Sequence, residues 1–154
     1  MTSRLYSSMT KAMGNPAMRP ITMAFSGMHA KAFRLTKGRA SNPKWPMLVL
    51  TVTGRKSGKP RDVPLVYHRD GHRFAVVAAY GGSDVDPAWW RNLQANPAAT
   101  ALVDNATIAV TAAKANADER ARLWPHLVAM YPYFDEYQQR TTREIPVVLL
   151  TPQA

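Results

Sequence analysis

The 154 residues are enough for one domain with a sizeable core, and they include no cysteine, which excludes disulfides, thiolate nucleophiles, iron–sulfur clusters and cysteine-ligated zinc. Twenty Lys+Arg stand against ten Asp+Glu, a formal net charge of +10. Unless that charge serves solubility alone, it calls for a polyanionic partner: nucleic acid, anionic lipid, or a phosphorylated or polycarboxylate ligand.

Residues 1–40 read as a helical arm and 41–154 as the body. Met1 to Pro20 mixes Arg4, Lys11 and Arg19 with Ser, Thr and Met, without the apolar stretch and cleavage site of a secretory signal. No apolar run is long enough to span a bilayer. Together with the missing cysteines, this leads us to expect a cytoplasmic protein, at most peripheral to a membrane. Ile21, Ala24, Phe25, Met28, Ala32 and Leu35 recur at helical spacing up to Gly38, with Lys31, Arg34 and Lys37 in the C-terminal half. That helix either caps the core or lays a basic, apolar face on an anionic membrane.

In the body, Met47–Thr53 is a β-branched and apolar run, hence a strand. Gly54–Pro60 is a basic turn, and Val63–Arg69 reads as the next strand. Asp70-Gly71 marks a hairpin, and Phe74–Ala79 is the return strand. Gly81-Gly82-Ser83 breaks the pattern. A helix follows, with Asp86 as N-cap and Pro87 in the first helical position, carrying Trp89, Trp90 and Leu93 and ending near Asn96-Pro97. Ala99–Val103 and Thr107–Thr111 form a hairpin around Asp104-Asn105. Asn116 and Glu119 make a capping box for a helix to about Tyr131, which Pro125 should kink or break. Ile145–Thr151 is the last strand. Hairpins in series imply an antiparallel sheet of about six strands, and closing it removes exposed edges. The expected fold class is α+β, a small antiparallel barrel with helices packed outside.

Four segments could carry chemistry. Thr53–Arg61 holds four cations in seven positions, with two glycines and Ser57, donors suited to phosphate or carboxylate oxygens; an ordinary solvated turn fits the same residues equally well. Ala78-Ala79-Tyr80-Gly81-Gly82 leaves room for a flat ring at a strand end, although it reads also as a plain connection. Trp89 and Trp90 point about 100° apart on their helix, so one can face the core and the other a pocket wall. Tyr131–Tyr137 is an aromatic cluster that would line an apolar cavity or staple a surface helix. His29, His68, His72 and His126 lack zinc-ligand spacing, so no metal is expected. There is no Gly-x-Ser-x-Gly elbow and no dinucleotide-binding Gly-x-Gly-x-x-Gly after a strand. Redox chemistry would need a bound organic cofactor.

In order and spacing, Thr51–Arg61, Pro64-Leu65, Gly81-Gly82, Pro87–Leu93, Asn96-Pro97, Trp124-Pro125, Met130–Pro132, Tyr137-Gln138 and Ile145–Val147 resemble the deazaflavin (coenzyme F420)-dependent nitroreductase and quinone reductase family, of the split β-barrel flavoprotein-like fold. The likeness runs from about Leu48 to Pro152. It implies hydride transfer from reduced F420, a flat ring bearing a phosphodiester and an oligoglutamate tail, to an electron-poor acceptor such as a quinone or nitroaromatic compound. It assigns the phosphate and tail side to Arg55, Lys56, Ser57, Gly58 and Arg61. The ring side falls to Pro64, Leu65, Ala78, Ala79 and Tyr80, with Ala88 and Trp89 flanking the cofactor. Tyr131 and Tyr137 match positions at the acceptor. The chain departs from its relatives at Ala79-Tyr80, where many have Ser-Lys, and at Phe134, where they have tyrosine; Lys59 often replaces an uncharged residue.

Three rivals stand beside this reading. One is a split-barrel reductase using FMN with a nicotinamide donor. Another is a non-catalytic deazaflavin carrier. The third, a nucleic-acid-binding module, is disfavoured because the family-like motifs span the chain in order.

Overall fold

In the computed structural model of the chain, residues 45–153 are described. The arm expected over residues 1–40 lies outside them. The body runs β1 (Met47–Thr53), β2 (Pro60–Val66), β3 (His68–Asp70), β4 (Arg73–Val77), a 3-10 turn (Tyr80–Gly82), α1 (Ala88–Ala95), β5 (Ala98–Val103), β6 (Ala106–Lys114), α2 (Ala117–Met130), α3 (Tyr133–Gln139) and β7 (Val147–Pro152). The strands form one sheet in the order β2-β1-β5-β6-β7-β4-β3, and every neighbouring pair is antiparallel.

The described residues contain seven strands rather than the six expected, because the run Val63–Arg69 is divided. Up to Val66 the chain pairs with β1, and the Tyr67 amide still donates to Pro46 O at 3.0 Å. From His68 it pairs with β4 instead. One residue therefore separates the two end strands of the sheet, and a sheet whose ends are that close must curl round on itself. The Tyr67 ring is buried at this corner, edge-on to Phe74 at 5.4 Å. The architecture is a split barrel of the expected α+β class.

Alternation along the strands builds two cores. Leu48, Leu50 and Val52, Phe74, Val76 and Ala78, and Val148 and Leu150 point inward, where α1 adds Trp89, Trp90 and Leu93. The intervening Ala75, Val77 and Ala79, with Val147 and Leu149, face outward against Leu123, Leu127, Tyr131, Phe134 and Tyr137 of the 117–139 helical segment. With both faces covered, these strands read as continuous apolar runs in the sequence.

Local signals held where the backbone alone decides. Asp104 and Asn105 have φ of 49° and 64°, the two left-handed residues of a tight hairpin. At α2, Glu119 N donates to Asn116 Oδ1 at 2.8 Å and Asn116 N to Glu119 Oε1 at 3.1 Å, the expected capping box. Three expectations are corrected. The N-cap of α1 is Pro87, with no side-chain cap, because the Asp86 carboxylate is taken by Arg143 at 2.9 Å. α2 continues through Pro125, where both Pro125 and Ala121, whose carbonyl loses its helical donor, are exposed to water. β4 ends at Val77 rather than Ala79, as the chain turns into the 3-10 segment.

An ion network pins the β3–β4 hairpin to α2. Asp70 accepts from Arg73 Nη2 at 2.7 Å and from both Arg122 terminal nitrogens at 2.8 and 3.1 Å, while Arg73 Nη1 reaches Glu119 at 3.0 Å. These donors, Arg122 foremost, lower the Asp70 carboxyl from 3.8 to about 2. Because the folded value lies below the unfolded one, the contribution of Asp70 to stability is complete above about pH 4 and is lost as pH falls towards 2. Urea denaturation across this window should show wild-type stability falling with acid more steeply than that of Asp70→Asn. Equal slopes would remove Asp70 as the cause.

Candidate cofactor site

The β1–β2 connection is a compact basic loop. Gly54 N donates to Lys59 O and Gly58 N to Gly54 O, both at 2.8 Å, and Lys59 N to Ser57 Oγ at 3.2 Å. Gly58 sits at φ +70°, and a Cβ on Gly54 would lie 2.7 Å from Ser57 Oγ. Arg55 is held by Asn92 of α1, whose Oδ1 accepts from Arg55 N at 3.1 Å and from Arg55 Nη1 at 2.8 Å. Asn92 is the one buried polar residue among those described. Closing the loop internally leaves the Lys56 and Ser57 amides at its tip with no backbone partner among the described residues.

Charge is densest in this loop: elsewhere in the described body, Arg91 and Lys114 are the only Lys or Arg that make no ion pair with a described residue. Arg69, Arg73, Arg120, Arg122, Arg140 and Arg143 each have a carboxylate partner. Arg55, Lys56, Lys59 and Arg61 are all exposed, and none makes an ion pair with a described residue. The neighbouring Asp62 accepts from Thr51 Oγ1 at 2.6 Å. Four cations without a described ion-pair partner, around two amides without a described backbone partner, make this loop a candidate site for a multiply charged anion.

The second half of the site lies past β4. Ala78 and Ala79 are buried on opposite faces of the sheet, one in each core. Tyr80, Gly81 and Gly82 then follow with φ of 46°, 64° and 82°. Gly82 lies so close to α3 that a Cβ would come 2.6 Å from Tyr137 O. Arg143 fastens the turn, with Nε on Ser83 O at 2.7 Å, Nη1 on Asp86 at 2.9 Å, and Nη2 on Ala78 O and Ala79 O at 3.2 and 3.1 Å. Burial lowers the Arg143 pKa from its ordinary value, against the opposing pull of Asp86 and Asp84.

The sequence-derived candidates fall into place unevenly. Ala88, half-buried, opens α1 beside this turn, and Asn92 lies one helical turn further on, a rise of about 6 Å. Thus α1 runs from the segment that follows this turn to the basic loop, which Asn92 holds. Pro64 and Leu65 are half-buried on β2, with Leu65 against the barrel core. Trp89 and Trp90 are both buried in that core, at 8% and 5% exposure, so neither ring forms an open wall. Tyr131 and Tyr137 are buried in the outer core with their hydroxyls 3.4 Å apart. Sequence reasoning gave no role to Asn92 or Arg143. For Asn92 a signal existed: it lies three residues after Trp89, on a helix face that buries aromatic rings.

Comparison with known proteins agrees with this fold. A family model described as F420H(2)-dependent quinone reductase matches residues 26–152. The chain belongs to this family. An F420H(2)-dependent quinone reductase of Mycobacterium tuberculosis is 37% identical over 130 residues, 80% of this chain and 87% of that protein. A second M. tuberculosis relative, whose name carries the same designation, is 43% identical over 108 residues, 70% of this chain and 91% of its own. Among solved structures, an F420-H2 dependent reductase (FDR-A) superposes with a TM-score of 0.64 at 37% identity, covering 68% of this chain and 93% of that one.

Removing the Asn92 carbonyl strands a part-buried amide and a guanidinium. Asn92→Ala should therefore cost about 1–3 kcal/mol in urea denaturation, while Asn92→Asp, which still accepts both bonds, should cost less. Equal losses in the two variants would show that the bonds to Arg55 do not matter.

Proposed function

We propose that this protein reduces a quinone with reduced coenzyme F420, and that the basic loop holds the cofactor's phosphate and oligoglutamate tail. The observation that carries the reading is the loop itself: four exposed cations that make no ion pair with a described residue, tied through Asn92 to the helix that follows the small-residue turn. A polyanionic tail fits that donor set; the single phosphate of FMN would leave much of it unused. Family membership supports the same cofactor.

Arg55, Lys56, Ser57, Gly58 and Arg61 would bind the tail, with Lys59 adding charge. Ala78, Ala79 and Tyr80, with Pro64 and Leu65 and the start of α1 at Ala88, would border the ring, and Trp89 would back that surface from the core. When bound, reduced F420 supplies the hydride. Converting a quinone to a hydroquinone takes one further proton, and the Tyr131–Tyr137 hydroxyl pair would hold the acceptor oxygen or pass that proton to it. The protein's share is orientation and exclusion of water. The Ala79-Tyr80 and Phe134 departures alter the polar groups offered to an acceptor, which favours quinones over nitroaromatic substrates.

Titrating F420 against the tryptophan fluorescence of the full chain should give saturable binding, weakened about tenfold or more in Lys56→Ala through loss of a charge-assisted contact, with FMN binding less tightly. Tyr131→Phe and Tyr137→Phe should lower quinone turnover while sparing F420 affinity. Tighter binding of FMN, or unchanged turnover in both tyrosine variants, would overturn the respective assignment.

We also propose that the protein meets its acceptor at an anionic membrane surface. No Asp or Glu precedes Asp62, whereas twelve of the 20 Lys+Arg do, so the positive charge is concentrated at one end of the chain. No helix of the described residues is long and apolar enough to cross a membrane. Co-sedimentation with phosphatidylserine vesicles at low salt, absent with neutral phosphatidylcholine vesicles, is the expected result. Equal recovery with both lipids would refute it.

A further inference from the structure

The turn after β4 is held in a conformation that its own backbone does not favour. Three consecutive residues lie at positive φ, and the first, Tyr80, is not glycine. Such a segment persists only where its surroundings over-determine it. Among the described residues, one stretch of chain, residues 137–143, supplies several groups that do so. The Tyr137 backbone packs on Gly82, Arg140 Nη1 donates to Gly81 O at 3.2 Å, and Thr141 Oγ1 donates to Asp84 at 2.8 Å. Arg143 makes the most bonds, reaching four acceptor groups: three carbonyls and the Asp86 carboxylate. Its own backbone is fixed by Gln138 Nε2 on Arg143 O at 2.8 Å, and Gln138 Oε1 in turn accepts from Ile145 N at 2.9 Å and Arg120 at 3.1 Å.

We propose that Arg143 is a positioning residue for the reaction: it locks residues 78–86, the ring-side border, against the segment that carries Tyr137, and so sets the distance between cofactor ring and acceptor. This rests on the cofactor reading above. The guanidinium is suited to the task because its planar fork holds several acceptors in fixed directions. A lysine in its place would keep the charge but bring a single flexible nitrogen. Arg143 touches neither the basic loop nor the tail-binding cations, so its effect should be confined to the ring.

The test compares two ligands and three variants of the full chain. The ligands are F420 and the tail-less 8-hydroxy-5-deazaflavin that carries only the ribityl chain. Arg143→Lys should weaken binding of both by the same factor, on the order of tenfold, and raise KM for the quinone. Lys56→Ala should weaken F420 alone. Asp86→Asn, which removes only the carboxylate anchor, should weaken both ligands equally but less, and it carries the test if Arg143→Lys does not fold at the assay temperature. A purely structural arginine would lower the melting temperature and leave both dissociation constants and the KM of the folded fraction unchanged, and that result overturns the proposal. So does a loss confined to F420, which would make Arg143 part of the tail site. If wild-type protein binds neither ligand, the cofactor reading fails first and the positioning role with it.

Discussion

The constraint on which this fold depends is the change of partner at Tyr67. A strand that pairs with β1 up to Val66 and with β4 from His68 joins both ends of the sheet through one residue. Curling follows, and with it two separate apolar faces. The inner face closes on α1, and the outer face is covered from the 117–139 segment. The buried Tyr67 ring, edge-on to Phe74, fills the corner where the ladder is interrupted.

The two cores also place the site. α1 is anchored by Trp89, Trp90 and Leu93 in the barrel, which fixes where its polar side chain Asn92 emerges and hence where the basic loop is held. Tyr137 is anchored in the outer core, which brings its backbone against Gly82. The basic loop is thus tied to the inner core and the turn after β4 to the outer one, and β4, whose residues alternate between the two, carries the connection. Ala78 and Ala79 are small because the chain there is enclosed from both faces.

Electrostatics follows a similar division. Most arginines of the body are used to staple elements together, as Arg73 and Arg122 do on Asp70 and Arg143 does on Asp86. The loop cations are left over. Grouping like charges on an exposed turn costs self-repulsion that a structural role would not repay, and a multiply charged ligand relieves it. This is the physical content shared by the family assignment and the geometry.

Much of the fold was legible in the residues because it depends on near neighbours. The Met47–Thr53 strand, the Asp104-Asn105 turn and the Asn116–Glu119 capping box were all readable, since each is decided by backbone sterics or by side chains within four positions. The basic loop was legible as a charge cluster, and the family by the order of its motifs. The division of Val63–Arg69 was not, because nothing local distinguishes a strand that keeps its partner from one that exchanges it. Nor was the fate of Asp86, an ordinary N-cap by its position, whose carboxylate goes instead to Arg143, 57 residues away. The sequence by itself determined most of the strands and turns and where the positive charge clusters. Only the tertiary structure decided which loops face one another across α1 and which buried polar groups hold them, because those bonds join residues tens of positions apart whose pairing no local pattern encodes.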